Sequence, residues 1–163
     1  MDVGRASVYE YSCKIVRVVD GDTVDVDIDL GFGVWMHKER IRLYGIDTPE
    51  SRTRDLEEKK FGLLAKKQVE HFLPKDSIQT LVTVKDKAGK YGRILGKFII
   101  EDHMHPMPTT INEWMIRHHH AAPYFGQSKE EIAQTHLANR SMAKDVWPEE
   151  YNEWRDRNDN SNG

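Results

Sequence analysis

The chain has 163 residues, of which 38% are hydrophobic and 31% charged, and its formal net charge at pH 7 is −3. This length suits a single domain that buries a hydrophobic core, and no apolar run reaches the roughly 18 residues of a transmembrane helix. The single cysteine, Cys13, excludes an intramolecular disulfide and a cysteine-based zinc site. Its apolar, β-branched neighbours predict a half-buried position on a strand.

The two ends of the chain differ from its middle in composition. Residues 145–163 carry six acidic side chains and two arginines, so residues 1–144 have a net charge of only +1. Global charge therefore gives no indication of a nucleic-acid partner. We predict a loose lead-in over residues 1–10, a disordered polar tail over residues 149–163 and one domain over residues 11–148.

Three strands are predicted at the start of the domain. Residues 12–19 are rich in β-branched side chains, and residues 24–29 alternate strictly between apolar and acidic residues, which is the period of a half-buried strand. Residues 30–33, Leu-Gly-Phe-Gly, predict a turn, and residues 34–43 return as the third strand of a meander.

The rest of the domain combines two further strands with three helices. Apolar residues recur at helical spacing over residues 57–73. Strands are predicted over residues 79–86 and 93–100, and capping boxes begin helices at Thr110 and Ser128. Five strands with a helix after the third are the layout of a small Greek-key barrel of the OB type. The predicted fold class is therefore α+β, mainly a five-stranded β-barrel with three α-helices.

The acidic run that follows Val19 invites a calcium-loop interpretation. An EF-hand loop starting at Asp25 fails, because Leu30 stands where glycine is needed and Met36 where glutamate is needed. The alternating aspartates of the run are better explained as the solvated face of a strand. These residues are Asp25, Asp27 and Asp29.

Asp20 and Asp22 differ because they lie at the bend before that strand. In a closed barrel this bend can meet Asp47 and Thr48, which follow a later strand of the same sheet. Two carboxylates with nearby carbonyl oxygens suit Ca²⁺ or Mg²⁺, whereas aspartates at bends also serve simply to form turns. Both interpretations are open at this point.

Two arginines lie on predicted strands next to polar loops. Arg42 and Arg93 each carry a planar guanidinium that can bind a phosphate through two hydrogen bonds. Either arginine alone is typical of a protein surface. Their occurrence together with the acidic residues of the two loops is what indicates phosphate chemistry.

Three segments carry a resemblance to a known family. Residues 19–24 (Val-Asp-Gly-Asp-Thr-Val), 42–50 (Arg-Leu-Tyr-Gly-Ile-Asp-Thr-Pro-Glu) and 90–93 (Lys-Tyr-Gly-Arg) resemble, in order and spacing, the signature segments of the staphylococcal nuclease (thermonuclease) family. The resemblance covers about residues 13–147, and residues 42–54 look similar to phage-encoded and bacterial members. It implies an OB-type barrel and calcium-dependent cleavage of DNA and RNA with little sequence preference, leaving 5′-hydroxyl and 3′-phosphate ends.

The resemblance also implies roles for individual residues. Asp22 and Asp47 match the calcium carboxylates, and Thr48 matches the ligand that offers its backbone carbonyl. Arg42 and Arg93 match the pair that clamps the scissile phosphate. These residues define the expected metal and phosphate sites.

Four further residues complete the implied site. Glu50 matches the residue that positions or deprotonates the attacking water. Lys90 and Tyr91 match contacts to the terminal phosphate of a bound nucleotide. Tyr124 is a candidate for stacking on a base, because the family places tyrosines just beyond its second helix.

Two features depart from the family pattern. The hairpin is longer and aromatic, so Phe32 and Trp35 either cover an end of the barrel or stack on bases. Residues 118–120 are three consecutive histidines. Because such neighbours on a helix point in three directions, we interpret them as cations near a helix C-terminus rather than as a zinc site.

An active nuclease is the leading interpretation of the sequence. The alternative is a catalytically silent module of the same fold that binds nucleic acid or protein. This alternative is disfavoured because all the acidic and arginine positions of the family's site are present in this sequence. The first residues show neither the basic nor the apolar segment of a secretory signal. We therefore expect a cytoplasmic monomer without a membrane partner, consistent with a phage-encoded protein acting in the host cell.

Overall fold

The computed structural model describes residues 9–88, 93–104 and 106–146. The strands are β1 (Glu10–Asp20), β2 (Thr23–Asp29), β3 (Trp35–Leu43), β4 (Ile46–Asp47), β5 (Ile78–Ala88), β6 (Ile94–Ile100), β7 (Thr109–Thr110) and β8 (Ala122–Pro123), and the helices are α1 (Leu56–Phe72), α2 (Ile111–Arg117) and α3 (Lys129–Val146). All five long strands and the three helices were predicted from the sequence, with bounds that differ by at most two residues. The predicted lead-in and tail lie outside the described residues, apart from residues 9 and 10.

The five long strands close into a barrel. They are hydrogen-bonded in the order β3-β2-β1-β5-β6, and a parallel pairing of β3 with β6 joins the two ends of the sheet. At this closure Leu43 pairs with Gly96, where a Cβ would lie 2.8 Å from Leu81 Cδ1 and 3.2 Å from Ile41 Cγ2. A side chain at position 96 would therefore displace the buried Leu81 side chain, so the seam favours glycine. The barrel with its three helices confirms the predicted α+β fold of the OB type.

Alternation along the strands fills the barrel interior. Val24, Val26 and Ile28 of β2 are buried, and the aspartates between them lie on the outer face, as the sequence predicts. Cys13 is fully buried rather than half-buried, and burial raises the pKa of its thiol to about 12. Its strand is covered on the core side by α1, which contributes Ala65 and Val69 to the same hydrophobic cluster.

The helices begin where the sequence provides caps. The Asp55 carboxylate accepts hydrogen bonds from the backbone N–H groups of Glu57 and Glu58 at the start of α1. The Thr110 hydroxyl accepts one from the N–H of Glu113 at the start of α2. Glu113 does not complete a reciprocal capping box, because its carboxylate accepts instead from the hydroxyl of the residue before the cap. No described helix is both long and apolar enough to cross a membrane.

The histidine run lies at the end of the second helix, as the sequence predicts, but the interpretation of all three histidines as cations is wrong for His120. The helix ends at Arg117, and His118 caps it with its ring stacked 4.2 Å from that of Trp114. His119 adopts a φ of 64°, which turns the chain, and His120 is buried. Burial and, to a smaller extent, the neighbouring His118 and His119 together lower the pKa of His120 to about 4, so His120 is neutral rather than a cation at the helix end.

The hairpin between β2 and β3 projects into solvent. Two backbone hydrogen bonds close its tip, from Leu30 N to Val34 O (2.8 Å) and from Val34 N to Gly31 O (3.0 Å). Phe32, at a φ of 57°, is fully exposed, and Trp35 is 39% exposed. The expectation that Phe32 covers an end of the barrel is therefore wrong, because the closed tip holds this ring away from the protein. Stacking of the ring on a base stays a prediction.

Candidate active site

The candidate site lies at one end of the barrel, where several chain segments converge. The β2–β3 register places Thr23 opposite Arg42, and the closing β3–β6 register places Arg42 opposite Leu95. The β1–β2 bend, the end of β3 and the start of β6 are therefore neighbours. This is the meeting of strand ends that the sequence predicts for a closed barrel.

Arg42 connects the two predicted metal carboxylates. Its Nη1 lies 3.3 Å from Asp22 Oδ2, and its Nη2 lies 3.5 Å from Asp47 Oδ1. Nη1 also contacts the backbone carbonyls of Asp22 (3.3 Å) and Leu43 (3.4 Å). The Arg42 and Asp22 side chains are only 18% and 13% exposed, so their charges interact in a partly desolvated environment. Two acidic loops far apart in the chain thus share one guanidinium.

The loop that follows β4 is held against the β1–β2 bend. The backbone N–H of Thr48 donates to Asp22 Oδ2 at 3.2 Å, and Thr48 is buried. A Cβ at Gly21 would lie 2.9 Å from the Cβ of Ala65 and 3.0 Å from the Thr48 side chain. Glycine at position 21 therefore allows the bend to approach both the loop and α1.

A second glycine, Gly62 of α1, brings the helix onto the segment that carries Glu50. A Cβ at Gly62 would lie 2.5 Å from the carbonyl carbon and oxygen of Glu50 and 2.7 Å from Ser51 N. Such distances leave no room for any side chain. The position of the Glu50 backbone is consequently set by α1 rather than by the loop alone.

Glu50 lies in a cluster of negative charge. Glu50 is exposed, yet the pKa of its carboxyl lies above the ordinary value, first because of desolvation by its surroundings and then because four acidic groups lie nearby. They are Asp20, Asp22, Asp47 and Glu58. Burial likewise raises the pKa of Asp20, whose carboxylate accepts a hydrogen bond from the N–H of Gly21 at 3.1 Å. The sequence placed Asp20 at the bend without assigning it a role; the structure places it in this cluster.

Beside these groups is a cleft of about 670 Å³ between the barrel and α3. Its lining includes Arg42, Asp47, Arg93, Tyr124 and, among the residues of α3, three with basic or titratable side chains that sequence reasoning did not select. These three are Lys129, His136 and Arg140. A single histidine and two basic residues on an amphipathic helix give no signal in the sequence that distinguishes them from a solvated face.

Of the remaining predicted residues, Tyr124 lines the cleft. Tyr124 also lines an adjoining cavity of about 310 Å³ with Tyr44 and Phe125, and its N–H donates to Gly45 O at 2.8 Å. Lys90 and Tyr91 lie outside the described residues. The structure therefore brings together Asp22, Asp47, Thr48, Glu50, Arg42 and Arg93, with Tyr124 at the edge.

A five-stranded OB-type barrel with acidic loops and arginines at one end is an architecture of the staphylococcal nuclease class. The family model described as "Staphylococcal nuclease homologue" matches residues 40–160, and the chain belongs to this family. It is similar to the protein named thermonuclease from Staphylococcus hyicus, with 25% identity over 148 residues, 88% of this chain and 80% of the relative.

Two further relatives show similarity over different lengths. Protein ParB from Escherichia coli is 27% identical over 157 residues, which are 91% of this chain and 80% of the relative. The thermonuclease from Staphylococcus intermedius is 31% identical over 93 residues, which are 57% of this chain and 51% of the relative.

Proposed function

We propose that the protein is a calcium-dependent nuclease that hydrolyses phosphodiester bonds of DNA and RNA with little sequence preference. The observation that carries this proposal is the contact of one guanidinium, that of Arg42, with the carboxylates of both Asp22 and Asp47 beside a cleft that Arg93 lines. Membership of the staphylococcal nuclease family and two relatives that are thermonucleases support it.

The acidic residues fit a hard cation. Among the described residues, no group of three or more His, Cys, Asp or Glu side chains is arranged to hold a metal. An oxygen site of two carboxylates, Asp22 and Asp47, with the backbone carbonyl of Thr48 and water suits Ca²⁺, which accepts a mixed and irregular ligand set. Thr48 Oγ1 is also buried without a hydrogen-bond partner in the described part of the chain. When bound, the ion would polarise a phosphate oxygen and offset its negative charge.

The reaction that the side chains support is attack of water on a phosphodiester. Glu50 would accept a hydrogen bond from the water or take its proton, for which the carboxyl must be ionised. The water oxygen bonds to phosphorus, the bond from phosphorus to the 5′ oxygen breaks, and the leaving oxygen takes a proton. The products are a 3′-phosphate and a 5′-hydroxyl end.

The two arginines stabilise the charge that builds on the phosphate oxygens. Arg42 and Arg93 both line the cleft, so a phosphate placed there would meet two planar hydrogen-bond donors. The cavity beside Tyr124 is largely apolar and suits a base. Lys90 and Tyr91 are proposed, from the family resemblance, to contact a terminal phosphate.

Digestion of supercoiled plasmid DNA tests the proposal. The unmutated protein should cleave with Ca²⁺ and stop with EGTA, and Glu50→Ala and Arg93→Ala should be inactive under the same conditions. Arg17→Ala is the matched control, because that arginine pairs with Asp25 on the outer face of the barrel (3.2 Å). Intact plasmid in every lane, from protein shown to be folded, would instead favour the catalytically silent binding module.

A further inference from the structure

A histidine of the last helix reaches the carboxylate at the end of β4. His136 Nε2 lies 2.8 Å from Asp47 Oδ2, although the two residues are 89 positions apart in the chain, and the His136 side chain is 12% exposed. A carboxylate only accepts hydrogen bonds, so Nε2 carries the proton and donates it. His136 Nδ1 is buried and has no hydrogen-bond partner within the described ranges. The contact that orients this ring is thus the one with Asp47.

The two oxygens of Asp47 face different partners. Oδ2 accepts from His136, while Oδ1 lies 3.5 Å from Arg42 Nη2, on the side of Asp22. A carboxylate that binds a metal through one oxygen commonly accepts a hydrogen bond from the protein on the other, which fixes its orientation. His136 occupies that outer position.

The helix that carries His136 is anchored on both sides of the site. Asn139 Nδ2 donates to Ala121 O at 3.2 Å, next to the short β4–β8 pairing. Arg140, one turn after His136, lies 3.9 Å from Glu57 Oε2 of α1, and its guanidinium lies over the Phe61 ring at 5.8 Å. These contacts hold the histidine on a regular helix rather than on a loop, which is the support that an orienting residue needs.

We infer that His136 is a positioning residue that orients Asp47 as a cation ligand, so that α3 forms part of the ion site. This inference rests on the proposed function. It concerns the geometry of the Asp47 carboxylate and assigns His136 no contact with the substrate or the ion.

The test compares His136→Ala with His136→Gln in the full chain. Calorimetric titration with Ca²⁺ should show an affinity weakened by about 10–100-fold in His136→Ala. The plasmid-cleavage rate should recover when Ca²⁺ is raised accordingly. His136→Gln, whose terminal amide also donates a hydrogen bond, should recover most of the affinity. Met142→Ala, on the same helix and partly exposed, controls for general effects on α3.

The possible outcomes separate the two proposals. If the unmutated protein binds Ca²⁺ and cleaves DNA but folded His136→Ala binds Ca²⁺ within threefold of it, the positioning role is wrong and the nuclease proposal stands. The role is equally wrong if His136→Gln is as weak as His136→Ala while melting at the same temperature. If the unmutated protein neither binds Ca²⁺ nor cleaves, both proposals fall.

Discussion

Replacement of Gly62 by alanine tests whether the close approach of α1 fixes the Glu50 loop. The added Cβ would lie 2.5 Å from the Glu50 carbonyl group, whereas ordinary contacts of a Cβ begin at 3.4 Å. Helix and loop must therefore separate by roughly 0.9 Å at this point. Both contacting atoms of Glu50 are backbone atoms, so no side chain can rotate to relieve the clash.

Two opposing effects set the change in stability of Gly62→Ala. Alanine is favoured over glycine inside a helix by about 1 kcal/mol, while overpacking of a tight contact costs about 1–3 kcal/mol. We expect a net loss of at most about 2 kcal/mol in the free energy of unfolding. The rate should fall much further, because a shift of about 1 Å in a catalytic group can cost about 100-fold.

Urea unfolding and initial rates of plasmid cleavage measure the two quantities on the same protein. Glu70→Ala is the control, since it changes a residue on the exposed face of the same helix. A Gly62→Ala protein that keeps more than a third of the unmutated rate would refute the argument that α1 sets the position of Glu50.

The other predictions concern the arginines, the ion, a buried histidine and the hairpin. Arg42→Ala or Arg93→Ala should leave the fold intact and nearly abolish cleavage; more than a tenth of the original rate would contradict the assignment. Ca²⁺ at 100 times its Kd should raise the free energy of unfolding by about 2.7 kcal/mol, measured by urea unfolding with Ca²⁺ and with EGTA. The Asp22→Asn protein should show no such difference between the two conditions. The pKa of His120 is about 4 in the folded protein, so as the pH is lowered this histidine takes up a proton in the unfolded chain before it does so in the folded protein. Stability should therefore fall between about pH 6.5 and pH 4, by at most about 3 kcal/mol, and His120→Phe should flatten that dependence in unfolding curves across this range. Phe32→Ser should change the free energy of unfolding by less than about 0.5 kcal/mol but raise the KM for single-stranded DNA. An unchanged KM would contradict the hypothesis that Phe32 stacks on a base.

Local pattern was sufficient to predict the main elements of the barrel. The alternation of Val24, Val26 and Ile28 with aspartates defines β2 without reference to any other segment, and the Thr110 cap defines the start of α2 in the same way. Short-range physical chemistry determines such features. The convergence of Asp22, Asp47 and Arg42 followed from closing the predicted strands into a barrel.

Other features depend on contacts that no local pattern encodes. The capping box at Ser128 predicts where α3 begins but not that His136 meets Asp47, since that contact joins residues 89 positions apart. The end of α2 near His118 was predicted correctly, but the burial of His120 was not. The turn that buries it is made by a positive φ at His119, a residue type that gives no glycine-like signal. Phe32 was misplaced for a similar reason: its exposure depends on how the hairpin tip closes.

Closure of the barrel also determines when, during folding, the two arginines of the cleft become neighbours. Arg42 belongs to a meander whose strands follow one another directly, whereas Arg93 precedes β6 and is brought beside Arg42 through the Arg42–Leu95 pairing. Contacts between strands this far apart in sequence form slowly, because the entropy of closing long loops opposes them. Pairing of β2 with β3 is enough to bring the Asp22 bend to Arg42, whereas Arg93 joins them only through the pairing of β3 with β6. The pair of arginines in the cleft is therefore a product of barrel closure, and the topology favours its formation after that of the meander.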